Sequence, residues 1–207
     1  MRLLAIVCLL ACTILGCESK DQQEIRDVYA RMLQAQKDRD GHAWLACVSK
    51  KSVAWHTPLI AIGLDGTPEQ VRALPPMERA EVFLMRTKGS RAKLTGLTAE
   101  QYLQLQVTDR WFTDDDISFS LRDVRVTGES GDAELVADGE GTKERTYFIK
   151  EDGKWVWDIP TTYRVWNTEI PRDAKAEGIT VDQYLFDLVE YWCGLPVHES
   201  VWQPMPR

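Results

Sequence analysis

A change of period near the middle of the chain constrains the fold most. Up to Phe112 the apolar residues mostly recur at helical spacing; from Ile117 to Ile159 they alternate. Ile117, Phe119 and Leu121 alternate with Ser118 and Ser120, and Val124 and Val126 continue in the opposite phase. A bulge near Arg122-Asp123 would restore the register. Turns are expected over 128–132 and at Asp138-Gly139-Glu140-Gly141, with strands at 133–137 and 145–150. Glu151-Asp152-Gly153-Lys154 is the strongest hairpin signal. Residues 155–159 then pair back, with Trp155, Trp157 and Ile159 on one face. Helices followed by an antiparallel meander define an α+β class.

The first half supplies the helices. Residues 21–39 carry Ile25, Val28, Tyr29, Met32 and Leu33 on one face, with Asp21 as cap and Glu24 completing a capping box. A short helix over 43–48 follows, and Val53-Ala54-Trp55 reads as a first short strand. Segment 59–96 is punctuated by glycine and proline. It holds two helical pieces, 68–74 and 76–86, each opened by a proline. Too short to bury its own core, it reads as an insertion or lid. A helix over 98–112 starts with the capping box Thr98-Ala99-Glu100-Gln101. After Pro160 a C-terminal extension, 160–207, holds a proline-bracketed segment, a last helix over 181–192 and an extended tail.

The N-terminus is of another kind. Arg2 precedes an apolar run over 3–15 that only Thr13 interrupts, and the run closes on Ile14-Leu15-Gly16-Cys17. This resembles a bacterial lipoprotein signal peptide with its lipobox. The run is shorter than a membrane span of about 20 residues, and Glu18-Ser19-Lys20-Asp21 follows at once. The resemblance implies cleavage before Cys17, lipidation of that cysteine and anchoring in a membrane through its acyl chains. Glu18 is not the aspartate of an inner-membrane retention signal, so in a cell with two membranes the outer one, facing the periplasm, is expected. The chain then divides into a signal peptide (1–16), a lipidated tether (17–20) and one domain (21–207).

Charge narrows the partners. The sequence has 25 basic and 32 acidic residues; without Arg2 the balance is 24 against 32. No basic cluster reverses it locally, which argues against nucleic acid. With Cys8 and Cys12 in the signal and Cys17 lipidated, Cys47 and Cys193 remain. They admit two readings, a disulfide closing a long loop or two buried thiols.

His42, His56 and His198 form no ligand pair, and no Cys-x-x-Cys occurs. Asp114-Asp115-Asp116 lacks the alternating spacing that wraps a cation and reads as a solvated turn. Nucleophile elbows and glycine-rich phosphate loops are absent. No catalytic, metal or cofactor-binding set is assigned, and no cofactor is expected. Eight tryptophans remain as candidate binding groups. Trp44, Trp55, Trp111 and Trp202 are the candidate pocket or partner aromatics; Trp155 and Trp157 read as core.

The order of elements resembles the nuclear transport factor-like superfamily, which includes ketosteroid isomerase-like and polyketide cyclase-like proteins. The likeness rests on Ile25 to Arg39 with Asp40-Gly41, on Gly131-Asp132-Ala133-Glu134-Leu135, and on the hairpin from Phe148 to Trp155. It covers 21–159. It implies N-terminal helices packed in the concave face of a curved antiparallel sheet, forming a cone whose open end often holds an apolar pocket. Homodimers through the sheet face are common among such proteins. Isomerase chemistry needs a carboxylate base and donors to an enolate, and no Asp or Glu here aligns to those positions.

Three functions are compatible with these expectations. A non-catalytic envelope module would bind a small apolar ligand or an envelope protein in or at the cone. A cyclase- or isomerase-like enzyme would place a buried carboxylate or histidine in the cavity. An immunity or accessory lipoprotein would have a filled cone and an exposed patch that blocks a specific protein.

Overall fold

The computed structural model describes residues 18–112 and 118–207. The apolar leader, Cys17 and Asp114-Asp115-Asp116 lie outside the described residues. Nine α-helices and a four-stranded antiparallel sheet make up the described α+β chain.

Helix α1 (Lys20–Asp38) is capped by Ser19 with Gln22 in a capping box, two residues earlier than the expected Asp21. Ile25, Val28, Tyr29, Met32 and Ala35 form its buried face. It lies on the sheet, and Tyr29 meets Phe148 edge-on with ring centroids 6.4 Å apart. Helix α2 (Gly41–Leu45) passes so close to α7 (Ala99–Thr108) that a Cβ on Gly41 would sit 2.7 Å from the Gln104 carbonyl oxygen. That explains the glycine without any special dihedral.

The expected strand Val53-Ala54-Trp55 is instead the middle of α3 (Lys50–Asp65). Ser49 caps this helix, and Pro58 lies inside it. Proline there removes one backbone donor without ending the helix. Helices α4 (Pro68–Arg72), α5 (Pro76–Lys88) and α6 (Arg91–Leu94) follow. In α5, Met77, Ala80, Val82, Phe83, Leu84 and Met85 have no exposed surface. Segment 59–96, expected to be an insertion or lid, thus supplies the center of the core.

The sheet is a meander, β1 (Phe119–Thr127), β2 (Ser130–Ala137), β3 (Glu140–Glu151) and β4 (Lys154–Trp157), in sequence order. Its register shifts between Arg122 and Arg125, where the bulge was expected, with Asp123 at φ 51°. Asp138-Gly139 and Asp152-Gly153 both have positive φ at each residue, which matches the right-handed twist of the strands they join.

The proline-bracketed segment is helix α8 (Ile159–Glu177). Pro160 occupies its first turn, where a missing N–H costs nothing; Pro171 is interior. Helix α9 (Val181–Cys193) ends at Gly194 in the left-handed region. The tail is a 3-10 turn, Glu199–Trp202, rather than fully extended.

Arg86 ties these parts together. It donates to the carbonyls of Ile62 at 2.8 Å, Gly63 at 2.9 Å, Gly66 at 2.7 Å and Val201 at 2.9 Å. Three of these close the C-terminal end of α3, where the helix dipole favors a cation. Burial lowers the guanidinium pKa to about 10, so it stays charged at neutral pH. Cys47 and Cys193 are both buried and free, each thiol pushed up by burial; the expected alternative of a disulfide is not formed. Among the described residues no helix is long and apolar enough to cross a membrane.

Candidate functional site

A cavity of about 390 Å³ opens between the sheet and the helices. Its walls are aromatic and aliphatic: Tyr29 and Met32 from α1, Trp44 from α2, Trp157 from β4, Trp166 from α8 and Trp192 from α9. Period-2 strand geometry places Leu135 and Ala137 of β2 on the cavity face. Trp44 and Trp157 meet edge-on at 6.1 Å, and Tyr163 stacks on Trp166 at 5.7 Å. The Trp157 indole donates to the Thr146 hydroxyl at 2.7 Å. The buried Nε1–H of Trp44 has no hydrogen-bond partner.

Helices α3 and α5 supply polar groups to the lining. Glu81 of α5 is 2 % exposed and His56 of α3 is 1 % exposed, and both line the cavity. Glu81 accepts from the Tyr163 hydroxyl at 3.1 Å on Oε1, and from the Tyr102 hydroxyl at 3.2 Å and the Gln106 amide at 3.3 Å on Oε2. Gln106 also donates to the Tyr102 oxygen at 2.6 Å. His56 Nδ1 lies 2.7 Å from the Ser52 carbonyl oxygen. A carbonyl only accepts, so Nδ1 carries a proton and Nε2 faces Glu81 Oε1 at 3.9 Å. That is too long for a direct hydrogen bond.

Burial, and then the neighboring Glu81 charge, pushes the hydroxyls of Tyr102 and Tyr163 well above the ordinary phenol range. Both therefore remain proton donors to the carboxylate. The unit is a buried carboxylate held by neutral donors, with an oriented imidazole beside it.

At the rim stand Glu144 of β3 and Glu169 and Asp173 of α8, with Tyr184, Leu188 and Tyr191 of α9. Glu144 is solvent-exposed as a residue, yet surrounding atoms partly strip water from its carboxylate. That desolvation, with the charges of Glu169 and Asp173, raises its pKa. Asp173 pairs with Arg172 at 3.0 Å.

Of the four candidate aromatics, only Trp44 lines the cavity. Trp55 stands behind it, edge-on to His56 at 4.7 Å and to Tyr163 at 5.5 Å. Trp111 is 1 % exposed, against Tyr102. Trp202 is 5 % exposed, edge-on to Phe83 at 4.8 Å, with the Arg72 guanidinium 4.6 Å over its ring. It packs as core. Trp155 is buried, with its indole donating to Asp21 at 2.8 Å. Trp157, read as core, is a cavity wall. Among the described residues no cluster of ligating side chains could hold a metal.

Nothing local marks Glu81 in the sequence, and His56 forms no ligand pair there. One signal could have found the site. Tyr102 and Gln106 are four residues apart on α7, so a polar amide shares the buried face of that helix. A polar group there needs a partner.

No protein-family model matches the chain, no curated protein matches its sequence, and no solved structure matches its fold.

Proposed function

We propose that this chain is an envelope-anchored lipoprotein whose domain binds a small ligand with an apolar body. The observation that carries this reading is the cavity of about 390 Å³, walled by aromatic rings and furnished with a buried Glu81–His56 pair. Pockets of this size and makeup hold small molecules, apolar walls supplying affinity and a few polar groups orientation. Binding fits better than catalysis, because both oxygens of Glu81 are already engaged by phenol and amide donors. A partner-blocking protein would fill this space. In the nuclear transport factor-like arrangement we favor, α1 lies in the concave face of a cone-like sheet and the cavity is the cone's open end.

The enzyme alternative, of the cyclase or isomerase kind, draws on one feature. His56 is oriented by Ser52 and stands 3.9 Å from a carboxylate, an arrangement that could serve acid–base chemistry. A substrate would have to displace a phenol from Glu81 to use it.

The neutral fluorophore N-phenyl-1-naphthylamine tests the pocket. Saturable binding at one site per chain is expected, and Leu188→Trp at the rim is expected to weaken it at least tenfold with the fold intact by circular dichroism. Equal binding to both proteins would place the dye elsewhere and remove the support. Anchoring is tested separately: Cys17→Ser is expected to move the protein from the membrane to the soluble fraction. Retention on the membrane would refute the lipid anchor.

A further inference from the structure

The side-chain charges that line the cavity have one sign. Its described lining holds four carboxylates, those of Glu81, Glu144, Glu169 and Asp173, and no lysine or arginine. Glu144 and Glu169 form no ion pair among the described residues; Arg172, which does not line the cavity, pairs with Asp173, and its charge also reaches Glu169. At the hydroxyl of Tyr184, a rim residue of α9, the charges that act are those of Asp173, Glu144, Glu177 and Glu169, all negative. One nearby cation against four carboxylates leaves a net repulsion for an anionic ligand here.

The walls add a second, independent preference. Trp166 lines the cavity three residues before Glu169 on α8, on the same side of that helix as the rim carboxylates, and tryptophan is the best aromatic partner of a cation; Trp44 and Trp157 are apolar wall. Aromatic walls below a carboxylate rim favor a molecule that is apolar at one end and positive at the other.

Resting on the pocket reading above, we propose that the ligand is an organic cation, an amine or quaternary ammonium on an apolar body. The body lies between the tryptophan walls, and the cationic head sits at Glu144, Glu169 and Asp173. This is non-covalent recognition; no bond is made or broken.

The test compares three probes of one shape on the purified protein by isothermal titration calorimetry. They are 4-phenylbutyltrimethylammonium, its neutral isostere with carbon in place of nitrogen, and 5-phenylpentanoate. The cation is expected to bind at least tenfold tighter than the isostere, the carboxylate not measurably, and the cation's advantage to shrink as salt rises. In the double variant Glu144→Gln, Glu169→Gln, the cation is expected to fall toward the isostere's affinity. Equal affinity of cation and isostere for the wild-type protein, or tightest binding of the carboxylate, would overturn the charge preference while leaving the pocket standing. An unchanged preference in the double variant would overturn the rim as the head's location. Binding of none of the three, together with failure of the neutral dye, would overturn the pocket itself.

Discussion

Replacing Glu81 by alanine is expected to lower the unfolding free energy by about 3–5 kcal/mol, the range for removing one member of a buried charged network. The Tyr102 and Tyr163 hydroxyls and the Gln106 amide would lose their acceptor in a site that water barely reaches. Each unsatisfied buried group costs about 1–3 kcal/mol, though the losses overlap. Glu81→Gln keeps the shape and one acceptor, so a smaller loss of about 1–2 kcal/mol is expected. Urea unfolding of the three proteins measures this; an alanine variant within 1 kcal/mol of wild type would show that the network contributes nothing to stability. Alkaline titration gives a second readout. Tyr102 and Tyr163 should ionize well above the ordinary value of 10.0. The folded state holds these two protons more tightly than the unfolded chain does. Stability is therefore full below that value and is lost as pH rises from it through the folded-state pKa. In Glu81→Gln the adjacent negative charge is gone, and the same two hydroxyls should ionize earlier, held up chiefly by burial.

Arg86→Met is expected to cost about 3–5 kcal/mol as well, for a different reason. One guanidinium serves four carbonyls from α3, its cap and the C-terminal turn, and hydrogen bonds to a charged donor are worth about 1.5–3 kcal/mol each before overlap. The methionine fills the space but donates nothing. In a chain of this size the loss corresponds to a melting point lower by about 10–15 °C. Arg86→Lys should recover only part, since a single ammonium cannot reach four acceptors in the guanidinium's planar fork. Thermal unfolding would contradict the hub role if the methionine variant melted within about 3 °C of wild type, less than 2 kcal/mol at that conversion.

The second half of the chain was readable because its signals are local. Asp152-Gly153 and Asp138-Gly139 need positive φ, and the phase break at Arg122 needs an extra residue; each is decided within a few positions. The helices misread were those where proline gave the wrong hint. Pro58 follows a β-branched and aromatic run and yet lies inside α3, while Pro160 opens α8 and Pro171 lies in its interior rather than at its end. In each case packing against the core outweighed local preference. The cavity was illegible for another reason. Glu81 stands among Glu78, Arg79 and Ala80 like any surface glutamate, and its partners come from α7 and α8, 21 to 82 residues away. Only the fold brings them together.

The cavity draws His56 and Glu81 from the buried interior and its mouth from half-exposed residues of β3, α8 and α9. A change at 56, 81, 102, 106 or 163 therefore alters the folding free energy together with any effect on ligand. A change at 144, 169, 173, 188 or 191 alters what the mouth meets and barely touches stability. Such a molecule can acquire a new preference by drift at its entrance while its foundation stays fixed, and a ligand seated on that foundation holds the whole structure closed in proportion to its concentration.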